Sequence, residues 1–566
     1  MRGTVPAVTT PVYQLADRFV ERYAALDPVA ATLEGLTGHD AEMTDYSPDG
    51  HAERAEHDRA VLAELGHTPG ENEDDRLAAA VLRDQLRWGL DLFDAGDHLR
   101  ELNIIHSPMQ AVRQVFDLMA TDTEDDWEKI AARLALVPQA LSSFESTLRE
   151  GARQGLVAAV RQVVACARQA DAWSGQTGDR PYFSMLVDRF DADRVHAPAL
   201  VARLERVAER ATQAYAALGR FLVNEYLPHA TERDAVGPER YARHAKVFNG
   251  IDLDLTETYA WGWDELHRIE HAMGEVGERI LPGAPLPEVF AHLERDPTRS
   301  IDGVDEFRSW LQALLDQTVA ELNGKHFDIP EPVRRVEAMI APPGGAAAMY
   351  YTGPSEDFSR PGRTWYPTLG KARFPLWGEV SICYHEGVPG HHLQIGMVRY
   401  LADRLSRFQR TLAGCSGHAE GWALYAERLM AELGYLDDPA YELGMLRAQA
   451  MRAVRVVVDI GLHLELEIPA SDHYHPGERW TPELALPFVL ERSRFPEDFM
   501  ASELDRYLGW PGQAISYKVG ERVWLGARDA ARVRLGSAFD LKEFHARSLA
   551  LGPMGLGLLE EELARI

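Results

Sequence analysis

The sequence predicts a mainly α-helical protein with one small β-sheet in its second half. Three observations predict it. Apolar residues recur at three- and four-residue spacing along most of the chain. One stretch, 328–370, breaks that pattern with Gly, Pro and aromatic residues. No repeat of fixed period and no low-complexity tract is present, so neither a solenoid nor a disordered array fits.

Residues 12–26 (VYQLADRFVERYAAL) form the first helical pattern, and the same spacing predicts helices near 75–95, 126–150, 155–172, 198–226, 256–278 and 304–323. Thr123 ahead of acidic residues and Trp127, and Asp305 ahead of FRSWLQALL, read as helix starts. GENEDD (70–75) and LPGAPLPE (281–288) read as surface loops. Within 328–370, VRRVEAMI, AMYYT and TWYPT read as short strands joined by turns. Helical patterning resumes near 379 and runs to the end, with a loop around 468–482. This change of texture divides the 566 residues into 1–330, a helical lobe forming cleft walls and lid, and 331–566, a lobe with the sheet and the chemistry. The two lobes are expected to form one continuous helical shell around a deep cleft.

Lys and Arg number 59 and Asp and Glu 88, a formal charge of −29 that repels nucleic acid and anionic membranes. Three cysteines, Cys166, Cys383 and Cys415, make neither a disulfide framework nor a CxxC knuckle. The N-terminal stretch MRGTVPAVTTPVYQLADRFV has no apolar core of signal-peptide type. A cytoplasmic protein is the expectation, with no membrane and no nucleic-acid partner.

The chemistry concentrates in Tyr384-His385-Glu386-Gly387-Val388-Pro389-Gly390-His391-His392-Leu393-Gln394. A His-Glu pair followed by a further His is similar to H-E-x-x-H, in which two imidazoles on adjacent turns share a metal and the Glu holds the attacking water. Here the second His lies six residues on, or seven if it is His392. Six residues of regular helix rotate by about 600° and rise about 9 Å; seven restore the face but rise about 10.5 Å. Neither suits bonds of about 2 Å to one zinc ion. Pro389 and Gly390 interrupt the helix, and a bulge or kink there is expected to return His391 to His385. Glu420, in His418-Ala419-Glu420-Gly421-Trp422-Ala423-Leu424-Tyr425-Ala426-Glu427, is the expected third ligand, and Glu427 a partner behind a ligand His.

HEGVPGHHLQ, AEGWALYAE and PGQAISYKVG (511–520) together resemble the DUF885 family, a bacterial family of unassigned function whose fold is similar to Taq-type carboxypeptidases. FVERYAALDPVAATLEGL, YYTGPSEDFSRPG and RAVRVVVDIGLH agree, so the resemblance spans nearly the whole chain. It implies a gluzincin-like, mainly helical zinc-peptidase architecture, with His385, His391 and Glu420 holding one zinc ion and Glu386 as general base. It also implies an oxyanion donor, for which Tyr517 is the candidate. Gln513, four residues earlier, would share its helical face. Arg455, Asp459 and His463 share a face of their own, read as a buried Arg455–Asp459 ion pair with His463 as a substrate contact. The small sheet is expected to take up an extended peptide as an added strand, with Tyr350, Tyr351, Arg360 and His392 beside it. A carboxypeptidase also needs a cation for the terminal carboxylate, and Arg455, Arg360 and Lys518 are the candidates. The expected activity is a zinc-dependent hydrolase acting on short peptides. The alternatives are a specialised amide or small-metabolite hydrolase and a noncatalytic peptide-binding protein.

Overall fold

A computed structural model describes residues 10–190, 198–341 and 348–566, and is 67% helix and 5% strand. The first nine residues of the N-terminal reading lie outside the described residues. No described helix is long and apolar enough to cross a membrane.

The chain forms two compact units. One holds the residues up to Val236 with Ser406–Leu412 and Asp505–Trp510; the other holds Gly237–Leu405, Ala413–Leu504 and Pro511–Ile566. Residues 237–330, expected with the first lobe, therefore pack in the second unit. The reason is a close crossing. A Cβ on Gly262 would touch Val456 and Val457 of a later helix, so the absent side chain lets the two helices meet.

In the first unit, α1 spans Pro11–Leu26, α2 Glu73–Asp94, α3 Glu124–Gln154, α4 Val160–Trp173 and α5 Pro198–Phe221. Thr123 caps α3 as expected: its hydroxyl accepts from Asp126 N, and the Asp126 carboxylate accepts from Thr123 N. The loop read at 70–75 ends earlier, because Asn72 caps α2 and Glu73-Asp74-Asp75 form its first turn. The core gathers Trp127, Ile130, Leu134, Leu141 and Phe144 of α3 against Leu204, Ala211, Tyr215 and Leu218 of α5. The late segments join this unit through Phe408, edge-on to Phe19 at 5.4 Å, and Asp505, whose carbonyl accepts from Gln162 Nε2 at 2.8 Å.

Arg133 of α3 is fully buried. It donates to the carbonyls of Glu42, Pro28 and His39 and to the Thr32 hydroxyl at 2.7–3.2 Å, tying down the 28–42 segment. Arg133→Met keeps the stem and removes every donor. We expect unfolding of this unit to lose roughly 3 kcal/mol, read as a lower urea midpoint at unchanged slope. An unchanged midpoint would refute that role.

In the second unit, α6 spans Pro238–Asn249, α7 Leu255–Ile280 and α8 Val304–Leu322. The cap of α8 is Gly303 at φ 99°, not Asp305, which lies inside the first turn. Then come α9 (Glu379–Glu386), α10 (His391–Tyr400), α11 (Ser416–Glu432), α12 (Pro439–Leu464) and α13 (Ser516–Leu535). The strands are β1 (Ser300–Asp302), β2 (Val336–Ile340), β3 (Tyr350–Thr352), β4 (Gly362–Tyr366) and β5 (Arg373–Pro375). The expected sheet has the order β2-β4-β3, with β2 parallel and β3 antiparallel to β4. A second, two-stranded sheet pairs β1 with β5 and was not legible in the sequence. Gln312 of α8 covers the outer edge of β2, donating to Val336 O and accepting from Ala338 N at 2.9 and 2.8 Å.

Two features position the chemistry. Every residue of α12 from Ala448 to His463 is buried, so this helix is a core rod. Its only charged or titratable residues in that run, Arg452, Arg455, Asp459 and His463, recur every three or four positions and form one polar stripe. The second feature is the crossing of α11 and α13. A Cβ on Gly421 or Gly520 would overlap the opposite backbone, and glycine at both positions lets the helices touch.

Candidate metal centre

Helix α9 ends at Glu386, and the Gly387 amide closes its last turn onto Cys383 O at 2.9 Å. A four-residue turn follows, with a cis Val388–Pro389 peptide. The Gly390 amide donates back to Tyr384 O at 3.0 Å, and His392 N donates to Gly387 O at 3.0 Å as α10 begins. A Cβ on residue 390 would overlap the carbonyls of His385 and Tyr384, so the return path requires glycine. Trp422 Nε1 donates to Pro389 O at 2.8 Å and holds the turn against α11. The expected kink is therefore a complete break between two helices. It brings the His385 and His391 rings to 4.8 Å between centroids, nearly perpendicular at 85°.

Glu420 of α11 completes the group. Its Oε2 lies 3.4 Å from His385 Nε2 and 3.5 Å from His391 Nε2, and one atom from each of the three residues fits within 4.8 Å of the others. A tetrahedron with metal–ligand bonds of about 2.0–2.1 Å has edges of about 3.3–3.4 Å, so the two distances to the carboxylate match ligands of one small cation. The same Oε2 is enclosed and makes no hydrogen bond among the described residues.

His385 Nδ1 faces Glu427 Oε1 at 2.8 Å, and Glu427 is fully buried. An Nδ1–H donated there leaves the Nε2 lone pair directed at the cluster. Arg452 of α12 stands 3.4 Å from both Glu427 Oε1 and His385 Nδ1. Burial and Arg452 act to lower the His385 imidazole, yet the neighbouring carboxylates of Glu420 and Glu427 prevail and lift it to about 9. Burial opposes ionisation of Glu420, but His391 and His385 hold it well below the usual carboxylate range. Glu386 is 6% exposed, and burial raises it, against the pull of His385 and His391.

His392 is not part of the group. It is 1% exposed; its Nδ1 accepts from the Tyr351 hydroxyl at 2.9 Å and its Nε2–H donates to Val333 O at 2.7 Å. Burial lowers it to about 4. Both nitrogens are spent on the protein, so neither a metal nor the expected substrate contact is available to it. Gly362 makes room for that link, since a Cβ there would overlap the Tyr351 hydroxyl and His392 Nδ1. Tyr350 stacks on Trp365 at 5.7 Å, and Arg360 is exposed in the β3–β4 loop.

The polar stripe of α12 meets partners on several other elements. Arg455 pairs with Glu503 at 2.7 Å and lies 4.5 Å from the centre of the Tyr517 ring. Asp459 accepts from the Tyr241 hydroxyl at 2.8 Å and from Gly512 N at 3.0 Å, pinning the turn that leads to Tyr517. His463 is fully buried, 3.6 Å from Asp459, a place with no surface for a substrate. Gln513 stands in the turn before α13, not on the helix, and its amide donates to Ser416 Oγ at 3.3 Å. Lys518 is fully buried, donating to Glu265 and Gln449 at 2.7 and 2.8 Å and pairing with Glu521. No terminal carboxylate can reach it. Tyr517 is half-buried at the start of α13, its ring centre 5.7 Å from the Arg452 guanidinium. Arg452 was missed in the sequence, although it stands three residues before Arg455 on the same face.

A family model described as "Bacterial protein of unknown function (DUF885)" matches residues 28–563. The chain belongs to the DUF885 family. Two solved structures share the fold of this DUF885 protein. A "putative lipoprotein" from Colwellia psychrerythraea superimposes with a TM-score of 0.84 at 24% identity, over 99% of each chain. A "putative lipoprotein of unknown function" from Shewanella oneidensis gives a TM-score of 0.73 at 16% identity, over 98% of this chain and 99% of its own. No curated protein matches the DUF885 chain by sequence.

Proposed function

We propose that this DUF885 protein is a zinc-dependent hydrolase of short peptides, with a gluzincin-like site formed by His385, His391 and Glu420. The observation that carries the reading is the convergence of two imidazole nitrogens on one carboxylate oxygen at metal-ligand spacing.

Bound there, zinc would polarise the scissile carbonyl and acidify water. Glu386, enclosed at the end of α9, takes the proton of the attacking water and returns it to the leaving amine. Burial suits it to this exchange by raising its affinity for the proton. Glu427 keeps the Nδ1 proton of His385, so that Nε2 stays a lone pair. Tyr517, in the first turn of α13 with its ring beside Arg455, is the candidate donor to the oxyanion.

The test is digestion of a diverse short-peptide mixture by protein shown to hold one zinc per chain, with products read by mass spectrometry. Products are expected, and their ends will show which terminus is attacked. Protein that binds no zinc would overturn the metal reading. Zinc-loaded protein that yields no products would overturn the peptide reading.

A further inference from the structure

Arg452 touches both a candidate ligand and its buried partner, yet no role follows for it from the motif. Its Nη2 lies 3.4 Å from Glu427 Oε1 and 3.4 Å from His385 Nδ1. Arg452 is 6% exposed, and its Nε and Nη1 make no hydrogen bond among the described residues. Glu427 has no exposed surface, and its Oε2 also bonds to nothing among them. The position of this carboxylate therefore rests on the two partners of Oε1, His385 on one side and Arg452 on the other. A carboxylate enclosed without a counter-charge is costly. Arg452 comes from α12, His385 from α9 and Glu427 from α11, so the contact joins three helices at one oxygen.

We infer that Arg452 is a positioning residue: by anchoring Glu427 Oε1 it fixes the rotation of the His385 ring and the direction of Nε2. This rests on the reading of His385, His391 and Glu420 as a zinc site. The groups that fix a ligand imidazole from behind are typically worth 10- to 100-fold in metal affinity.

The test measures zinc affinity by competition with a chromophoric chelator, for the unchanged protein and for Arg452→Met, Arg452→Lys, Glu427→Gln and the Met/Gln double variant. Arg452→Met should weaken zinc binding by roughly 10- to 100-fold, and Arg452→Lys should recover most of that loss. Glu427→Gln should cost a similar factor, and adding Arg452→Met to it should cost little more, because Arg452 acts through Glu427. Affinity within about twofold of the unchanged protein in Arg452→Met, or losses that multiply in the double variant, would overturn the inference while leaving the zinc site intact. Absence of zinc binding in the unchanged protein would instead overturn the metal reading itself. Should Arg452→Met not fold, Arg452→Gln reads the same loss, and the visible spectrum of its cobalt-substituted form should shift with the ligand geometry. An unshifted spectrum at unchanged affinity would count against Arg452.

Discussion

Glu386→Gln should lower turnover of any peptide the protein cleaves by roughly 10²- to 10⁴-fold, the usual contribution of a positioned general base. The amide has nearly the same size and fills the same enclosed place at the end of α9. It cannot accept the proton of the attacking water. Since Glu386 is not among the three convergent ligand atoms, zinc affinity should stay within a few-fold, and KM should move less than kcat. Turnover equal to that of the unchanged protein would remove Glu386 from the mechanism. Loss of zinc together with turnover would make it a structural support of the site.

Gly390→Ala should abolish zinc binding and destabilise the second unit by about 3 kcal/mol or more. The added Cβ meets the backbone carbonyls of His385 and Tyr384, which cannot swing aside as a flexible side chain would. The turn must open, and the Gly390 N to Tyr384 O bond goes with it. His391 is the next residue, so the opening moves one ligand away from the other two. Metal sites tolerate only a few tenths of an ångström in such distances. Gly526→Ala is the control. A Cβ there meets nothing within 4 Å inside α13, and alanine in a helix is favoured over glycine by roughly 0.5–1 kcal/mol. Equal zinc affinity in Gly390→Ala and Gly526→Ala would refute the close-approach argument.

Much of the site was legible because its parts are local in sequence. His385, Glu386 and His391 fall within seven residues, and the mismatch between their spacing and a regular helix was enough to demand an interruption at Pro389-Gly390. Glu420 and Glu427 lie seven residues apart on α11, so the candidate third ligand and the candidate partner of a ligand His could be read from one helix. The Arg455, Asp459 and His463 stripe was read as a face, but not the partners it meets on other elements. Their partners, Glu503, Tyr241 and Gly512, come from separate elements, and no periodicity encodes them. Gln513 and Lys518 failed for a related reason. Gln513 was placed by counting along a helix and Lys518 was chosen for its charge, whereas Asp459 fixes the turn at Gly512 and Glu265 reaches Lys518 from α7.

The sequence by itself determined the helical class, the family, the location of the small sheet and the residues of the H-E segment. Each depends on spacing along the chain or on side-chain chemistry that survives without a fold. The tertiary structure alone placed His391, and not His392, beside His385 and Glu420, with both nitrogens of His392 spent on Tyr351 and Val333. It also withdrew Lys518 and His463 from any contact with a substrate, and placed Arg452 against His385. These outcomes depend on distances of 3–4 Å between atoms of different helices. Such distances are set by how closely backbones approach at Gly390, Gly421 and Gly520, a quantity that exists only once the helices have packed.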